Sequence, residues 1–243
     1  MINVISSEIY KVFKSKIFYG IVIVFLLMNA ITFISGCNVT SDALITGISV
    51  YQESYDADGM IYIILVFVAF LITAEYTNGS IRQMACRGIE RWKLIIGQYI
   101  AISLITTGII LGFGFINLLS FTMLYKLGEV DINSFLYMNL GIVCMIWASA
   151  AFATFVSHLF KNVGITIIVS IILAKGSELI PSLFSMITEN NIFTMYGLTN
   201  MRKIIINFAS TPEQIMRCCW ALMLIAIVAI LGTCLVFSGR DID

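Results

Sequence analysis

Residues 94–124 read LIIGQYIAISLITTGIILGFGFINLLSFTML, a run without a single Asp, Glu, Lys or Arg. About 20 apolar residues wound as a helix cross the ~30 Å hydrocarbon layer of a bilayer. A helix is the form such a run takes there, because lipid offers the backbone no hydrogen-bond partner. This stretch exceeds what one crossing needs, so its helix tilts or extends past the interface. Working outward, residues 17–35 form an uncharged span and residues 60–74 a short one dense in Ile, Leu, Val and Phe. Residues 132–156 are rich in small side chains (Ala148, Ser149, Ala150, Ala151, Ala153), which let helix backbones approach closely in lipid. Residues 163–187 are apolar but interrupted by Lys175, Glu178 and Pro181, and residues 218–237 make a sixth span.

Composition agrees. The chain has 243 residues, 60% hydrophobic and 12% charged, with mean hydropathy +0.99. A soluble domain carries about 25% charged residues. The expected fold is all-α: a polytopic membrane protein of six transmembrane helices, read as one domain over residues 1–243. The formal net charge is +0, so no bulk charge points to nucleic acid. Six cysteines without a C-x-x-C pair read as small buried hydrophobes. The first sixteen residues, basic and without a cleavage-like site, do not read as a signal peptide.

Orientation follows from Lys and Arg, which favour the cytoplasmic side. With the N-terminus inside, Lys11, Lys14, Lys16, Arg82, Arg87, Arg91, Lys93, Lys161 and Arg240 lie in inner segments, nine of the 14 basic residues. The first outer loop is acidic, with Asp42, Glu53, Asp56 and Asp58. Both termini are then cytoplasmic, in a multi-pass protein of the cell membrane.

Catalytic chemistry is missing from the pattern. His158 is the one histidine, so no H-E-x-x-H metal site exists, and no G-x-x-x-x-G-K-[ST] phosphate loop is present. No catalytic residue and no metal ligand set is expected. Three segments stand out instead. Residues 2–16 put Ile5, Ile9, Val12 and Phe13 on one helical face and Glu8, Lys11 and Lys14 near the other. That pattern suits a helix lying in the headgroup layer or a plain basic flank that fixes topology, with Lys11, Lys14, Lys16 and Trp92 at the membrane interface. Residues 75–93, EYTNGSIRQMACRGIERWK, hold four of the inner basic residues. Thr77, Asn78 and Ser80 offer helix caps, Ile81, Met84, Ala85 and Gly88 suit a short helix, and Gly88 would end it. A solvated connector fits equally. Lys175 and Glu178 sit one turn apart, where they pair. They read either as a polar site inside the membrane, where bare charge is costly, or as a break in the span at the outer surface.

The 75–93 segment resembles the cytoplasmic loop of type-2 ABC exporter permeases, in which an E-Y-x-x-G-[ST]-I-R core precedes a Gly/Arg element and a basic start to the next span. The matching residues are Glu75, Tyr76, Asn78, Gly79, Ser80, Ile81 and Arg82, then Arg87, Gly88 and Arg91. The amphipathic helix before the first span is similar to the family's elbow helix, and Phe237 to Ile242 to its C-terminus. The subgroup most similar in size exports bacitracin, lantibiotics and amphipathic peptide toxins. The resemblance implies two ATPase subunits that hold ATP and magnesium, with no cofactor on this chain. It also implies a second permease copy or sister permease, a coupling helix around residues 79–88, a smaller contact at His158 and Lys161, and re-entrant outer helices within 175–217. Asn117, Asn139, Trp147 and Ser149, with Lys175 and Glu178, are candidates to line a translocation path for a hydrophobic or amphipathic peptide. Two rivals remain open: a membrane scaffold or sensor using the outer segment 188–217, and an ion-coupled channel or carrier using Lys175 and Glu178.

Overall fold

The computed structural model describes residues 2–37, 46–56, 58–80, 90–188 and 193–238. Those residues are almost wholly helical: α1 (Ile2–Lys14), α2 (Lys16–Cys37), α3 (Gly47–Asp56), α4 (Asp58–Thr77), α5 (Arg91–Leu124), α6 (Ile132–Phe160), α7 (Val163–Gly176), α8 (Leu179–Thr188), a 3₁₀ turn (Phe193–Tyr196), α9 (Leu198–Ile206) and α10 (Pro212–Ser238). Six helical stretches among them are long and apolar enough to cross a membrane: Lys16–Gly36, Gly59–Thr77, Arg91–Leu124, Ile132–Phe160, Val163–Ile187 and Pro212–Phe237. The expected spans thus stand, most of them longer at their ends than the uncharged cores read from sequence. A helix extends past its apolar core wherever the flanking polar side chains reach the headgroups.

Helix α6 is the centre of the bundle, with α10 along one side and α4 on another. Its Ala148, Ala150, Ala151 and Ala153 are all buried. They supply the smooth surface expected of small residues in lipid, where association rests on packing rather than on hydrophobicity. Helices α2, α7 and α10 sit at the periphery and leave large apolar side chains outward, among them Ile31, Ile168, Ile172, Val228 and Leu235.

The fifth span is two pieces. Helix α7 stops at Gly176, Ser177 and Glu178 form a turn, and α8 resumes at Leu179. At 14 residues, α7 is about 21 Å long, short of a full crossing. The break falls at the position where the sequence left a break as one of two readings. Proline at position 181 sits in the first turn of α8, where its missing N–H has no helical partner to lose.

Helix α3 lies in what reads from sequence as a polar outer loop. It forms because Tyr51 and Tyr55 are fully buried against α5. Tyr51 donates a hydrogen bond of 2.6 Å to Asn139 Oδ1, and Asn117 Nδ2 donates one of 3.0 Å to Ser54 Oγ. Burial pushes both tyrosine hydroxyls above their ordinary range, so both stay neutral. Helix α9 docks alongside, with its buried Arg202 3.8 Å from Asp56 and Gln52 donating to the Ile206 carbonyl at 2.8 Å. At the opposite end α1 packs on the start of α5. The Val4 side chain comes so close that a Cβ on Gly97 would lie 2.8 Å from its Cγ1.

Candidate coupling end

One end of the bundle gathers the ends of α1, α4, α6 and α10 and the start of α5. Helix α4 finishes in Glu75, Tyr76 and Thr77, and Gly79 follows at φ +67°. A side chain there strains the backbone, so glycine is what lets the chain leave the helix in a left-handed step. The Asn78 N–H returns to the Ala74 carbonyl at 3.0 Å, and Ser80 Oγ lies 3.3 Å from the Glu75 carbonyl.

Glu75 and Tyr76 point inward to separate partners. Glu75 accepts a hydrogen bond of 2.9 Å from Gln98 Nε2 on α5, and Lys11 Nζ on α1 lies 3.4 Å from its other oxygen. The same ammonium pairs with Glu8 at 2.5 Å. Tyr76 Oη is 2.6 Å from His158 Nδ1 on α6. The His158 ring stands edge-on to both Tyr76 and Phe237, so α4, α6 and α10 meet on one imidazole. His158 is in the last turn of α6, not in the connecting loop where its sequence position suggested. It is buried, so any contact with another protein at this corner falls to its neighbour.

That neighbour is Lys161. It is exposed, adopts φ +53° as the cap that ends α6, and holds its ammonium over the Tyr76 ring, 5.4 Å from the centroid. Asn162 then starts α7 by accepting from the Gly164 N–H at 3.0 Å. Arg91 donates to the Phe237 carbonyl at 3.4 Å. Trp92 is half exposed, with the Lys93 ammonium 5.3 Å from its ring centroid, an arrangement suited to the headgroup belt. Lys93 also bonds Glu90 at 2.9 Å and holds its carboxyl below the ordinary range.

Glu75, Tyr76, Asn78, Gly79, Ser80, Arg91, His158 and Lys161 therefore lie at one end of the bundle. Ile81, Arg82, Arg87 and Gly88 lie outside the described residues, as do the residues from 239 onward. Lys14 and Lys16 are exposed at the same end.

The polar residues proposed for a path are dispersed. Asn117 and Asn139 tie α3 to the bundle, Trp147 Nε1 donates to Thr107 Oγ1 at 3.1 Å, and Ser149 Oγ bonds its own helix at Met145. These are bonds between or within helices. Lys175 and Glu178 line one small crevice away from the coupling end, where Glu178 accepts from Thr199 at 2.5 Å and the Lys175 ammonium is 5.8 Å from the Tyr62 ring centroid.

Sequence reasoning missed Lys11 and Gln98 as partners of Glu75. Glutamine in an otherwise apolar run was a usable signal, since a buried amide demands partners.

A family model described as "ABC-2 family transporter protein" matches residues 4–177, from α1 through the first piece of the fifth span. No curated protein matches the chain.

Proposed function

From the premise that the chain belongs to the ABC-2 transporter family, we propose that it is the permease subunit of an ATP-driven exporter whose ATPase is a separate polypeptide. Two ATPase subunits bind ATP and magnesium, and two permease copies, or this chain and a sister permease, form the membrane portion. Both termini face the cytoplasm, and the protein resides in the cell membrane. The cargo is a hydrophobic or amphipathic molecule, an antimicrobial or toxin peptide being the class that the resemblance to bacitracin and lantibiotic exporters implies.

The single observation that carries this reading is the gathering of Glu75, Tyr76, Arg91 and Lys161 at one end, on both flanks of the basic loop. An ATPase that presses on residues 79–88 moves the end of α4 and the start of α5. The Tyr76–His158–Phe237 contact then passes that movement to α6 and α10. Helix α1, joined through Lys11 and Glu75, moves as the elbow. Charge is sparse across the spans, which favours a greasy route for an apolar cargo over an ion path.

The test is co-expression with candidate ABC ATPases and purification in one detergent extract. A stoichiometric ATPase is expected to accompany the chain. Arg82→Glu and Gly79→Pro are expected to abolish permease-stimulated ATP hydrolysis while membrane insertion is retained; proline cannot adopt φ +67° at all. Full stimulation in both variants would overturn the coupling role.

A further inference from the structure

Helices α6 and α10 lie side by side in one register. A Cβ on Gly232 would lie 3.1 Å from the Phe155 ring, and His158 stands edge-on to Phe237. The α10 partner comes 232 − 155 = 77 and 237 − 158 = 79 positions later, so the two helices run parallel. The same register brings Cys144 of α6 to Cys219 of α10, 219 − 144 = 75 positions on, and there the Cys219 S–H donates to Cys144 Sγ. Both thiols are free. A disulfide joins Cβ atoms about 3.8 Å apart, within reach of side chains whose sulfurs already touch. Only the loss of two hydrogens separates this pair from a covalent link.

The two thiols differ in exposure as such a reaction requires. Cys219 is 4% exposed, and a thiol buried among apolar groups is inert toward reagents. Cys144 is partly exposed, so an oxidant meets it first and Cys219 stands behind it to close the bond. The pair also lies where a polar oxidant arrives. Glu213 and Arg217, both exposed and 3.8 Å apart, make the polar start of α10, and Cys219 follows within a turn. On α6, Asn139 precedes Cys144 by little more than a turn and bonds Tyr51 of α3. Both neighbours put the thiols toward the end of the bundle away from the coupling end.

We propose that Cys144 and Cys219 form a redox-active pair that a hydroperoxide closes to a disulfide, stapling α6 to α10. Cys144 Sγ attacks the O–O bond and takes one oxygen as a sulfenic acid, and the rest of the peroxide leaves as an alcohol, or as water from hydrogen peroxide. The Cys219 thiol then attacks that sulfur, the S–S bond forms and water leaves. In all, the two thiols give up two electrons and two protons, and the peroxide is reduced. The site rests on contacts within this chain and not on the transport reading. It bears on that reading through His158, where α6 and α10 meet at the coupling end: a staple near their other end stops one helix from sliding along the other.

The experiment is peptide-mapping mass spectrometry of the full chain, purified reduced in detergent and exposed to hydrogen peroxide, with and without later dithiothreitol. A linked pair of peptides carrying Cys144 and Cys219, lighter by two hydrogens, is expected, and dithiothreitol is expected to abolish it. Cys144→Ser and Cys219→Ser are each expected to lose the link, and Cys218→Ser to retain it. Oxidation is also expected to raise the Tm of the unmodified chain, because a cross-link restricts the unfolded state, and to leave that of Cys144→Ser where it was. Oxygen added to Cys144 without a link, or a link to Cys218 in place of Cys219, overturns the proposal. So does a chain whose Cys144 and Cys219 stay reduced while Cys234 is oxidised. A link that leaves Tm unchanged overturns the staple.

Discussion

Lys11 stands between two carboxylates that belong to different helices. Glu8 is three residues away on the same helix, while Glu75 is 64 residues distant in sequence. The first contact is one that any helix offers at that spacing; only the second bears on tertiary structure. Double-mutant analysis separates them. Lys11→Met and Glu75→Gln, alone and together, are expected to show a coupling of about 1 kcal/mol in thermal unfolding of the detergent-solubilised protein, as interacting neighbours do. Strict additivity would mean that α1 is not held through this ammonium. Glu75 itself was legible, since it opens the 75–93 segment. Its partners were not. Sequence spacing places Glu8 and Lys11 on the polar side of an amphipathic helix, but the structure turns Glu8 and Val12 toward the bundle and leaves Tyr10 and Phe13 outward. Glu8 thus joins Ile5, Ile9 and Val12 on the inward side of α1, while Lys14 stays exposed, because α4 and α5 bring their own polar groups to meet it.

At the scale of elements, hydropathy gave the spans well and their connections badly. Length and lack of charge suffice to place helices in lipid, so α2, α5, α6 and α10 could hardly be misread. Helix α3 was invisible for the opposite reason. Its sequence, GISVYQESYD, is half polar, and it becomes helical by burying two tyrosines against another segment, a tertiary effect that overrides local propensity. The junction of α6 and α7 combines two requirements in one residue. Lys161 sits at φ +53°, a conformation that costs a non-glycine residue about 1–2 kcal/mol. Lys161→Gly is therefore expected to leave thermal stability unchanged or slightly higher. If the ammonium contacts an ATPase, the same change is expected to lower permease-stimulated hydrolysis. A fall in stability with stimulation intact would place the lysine's role inside the bundle, over the Tyr76 ring.

In the whole molecule, most polar contacts between helices collect at two ends, with Trp147 and Thr107 bonded midway between them. One end has the Glu8–Lys11–Glu75–Gln98 cluster and the Tyr76–His158–Phe237 contact; the other has Tyr51–Asn139, Asn117–Ser54 and Arg202–Asp56. Helix α1 and the last turn of α10 share the first of these ends, joined through the start of α5. Fluorescent-protein fusions after position 238 and before position 2 are expected to report the same side of the membrane, the cytoplasm. A fusion within residues 125–131 is expected to report the other. Opposite sides for the two ends would refute the six-span topology.

Helix α5 reaches from one of these ends to the other. Its Gly97 rests on α1, while its Asn117 bonds α3 and accepts from Thr32 of α2 at 3.3 Å. Just past its end, Tyr125 donates to the Gly36 carbonyl at 2.6 Å. At 34 residues and about 1.5 Å per residue, it is a rod roughly 50 Å long. A tilt of about 5° about one end of such a rod carries its other end about 4 Å, close to the rise of three helical residues. Under the proposed coupling, a small tilt of α5 at one end would become a larger displacement at the other, where the tyrosines of α3 pack against it.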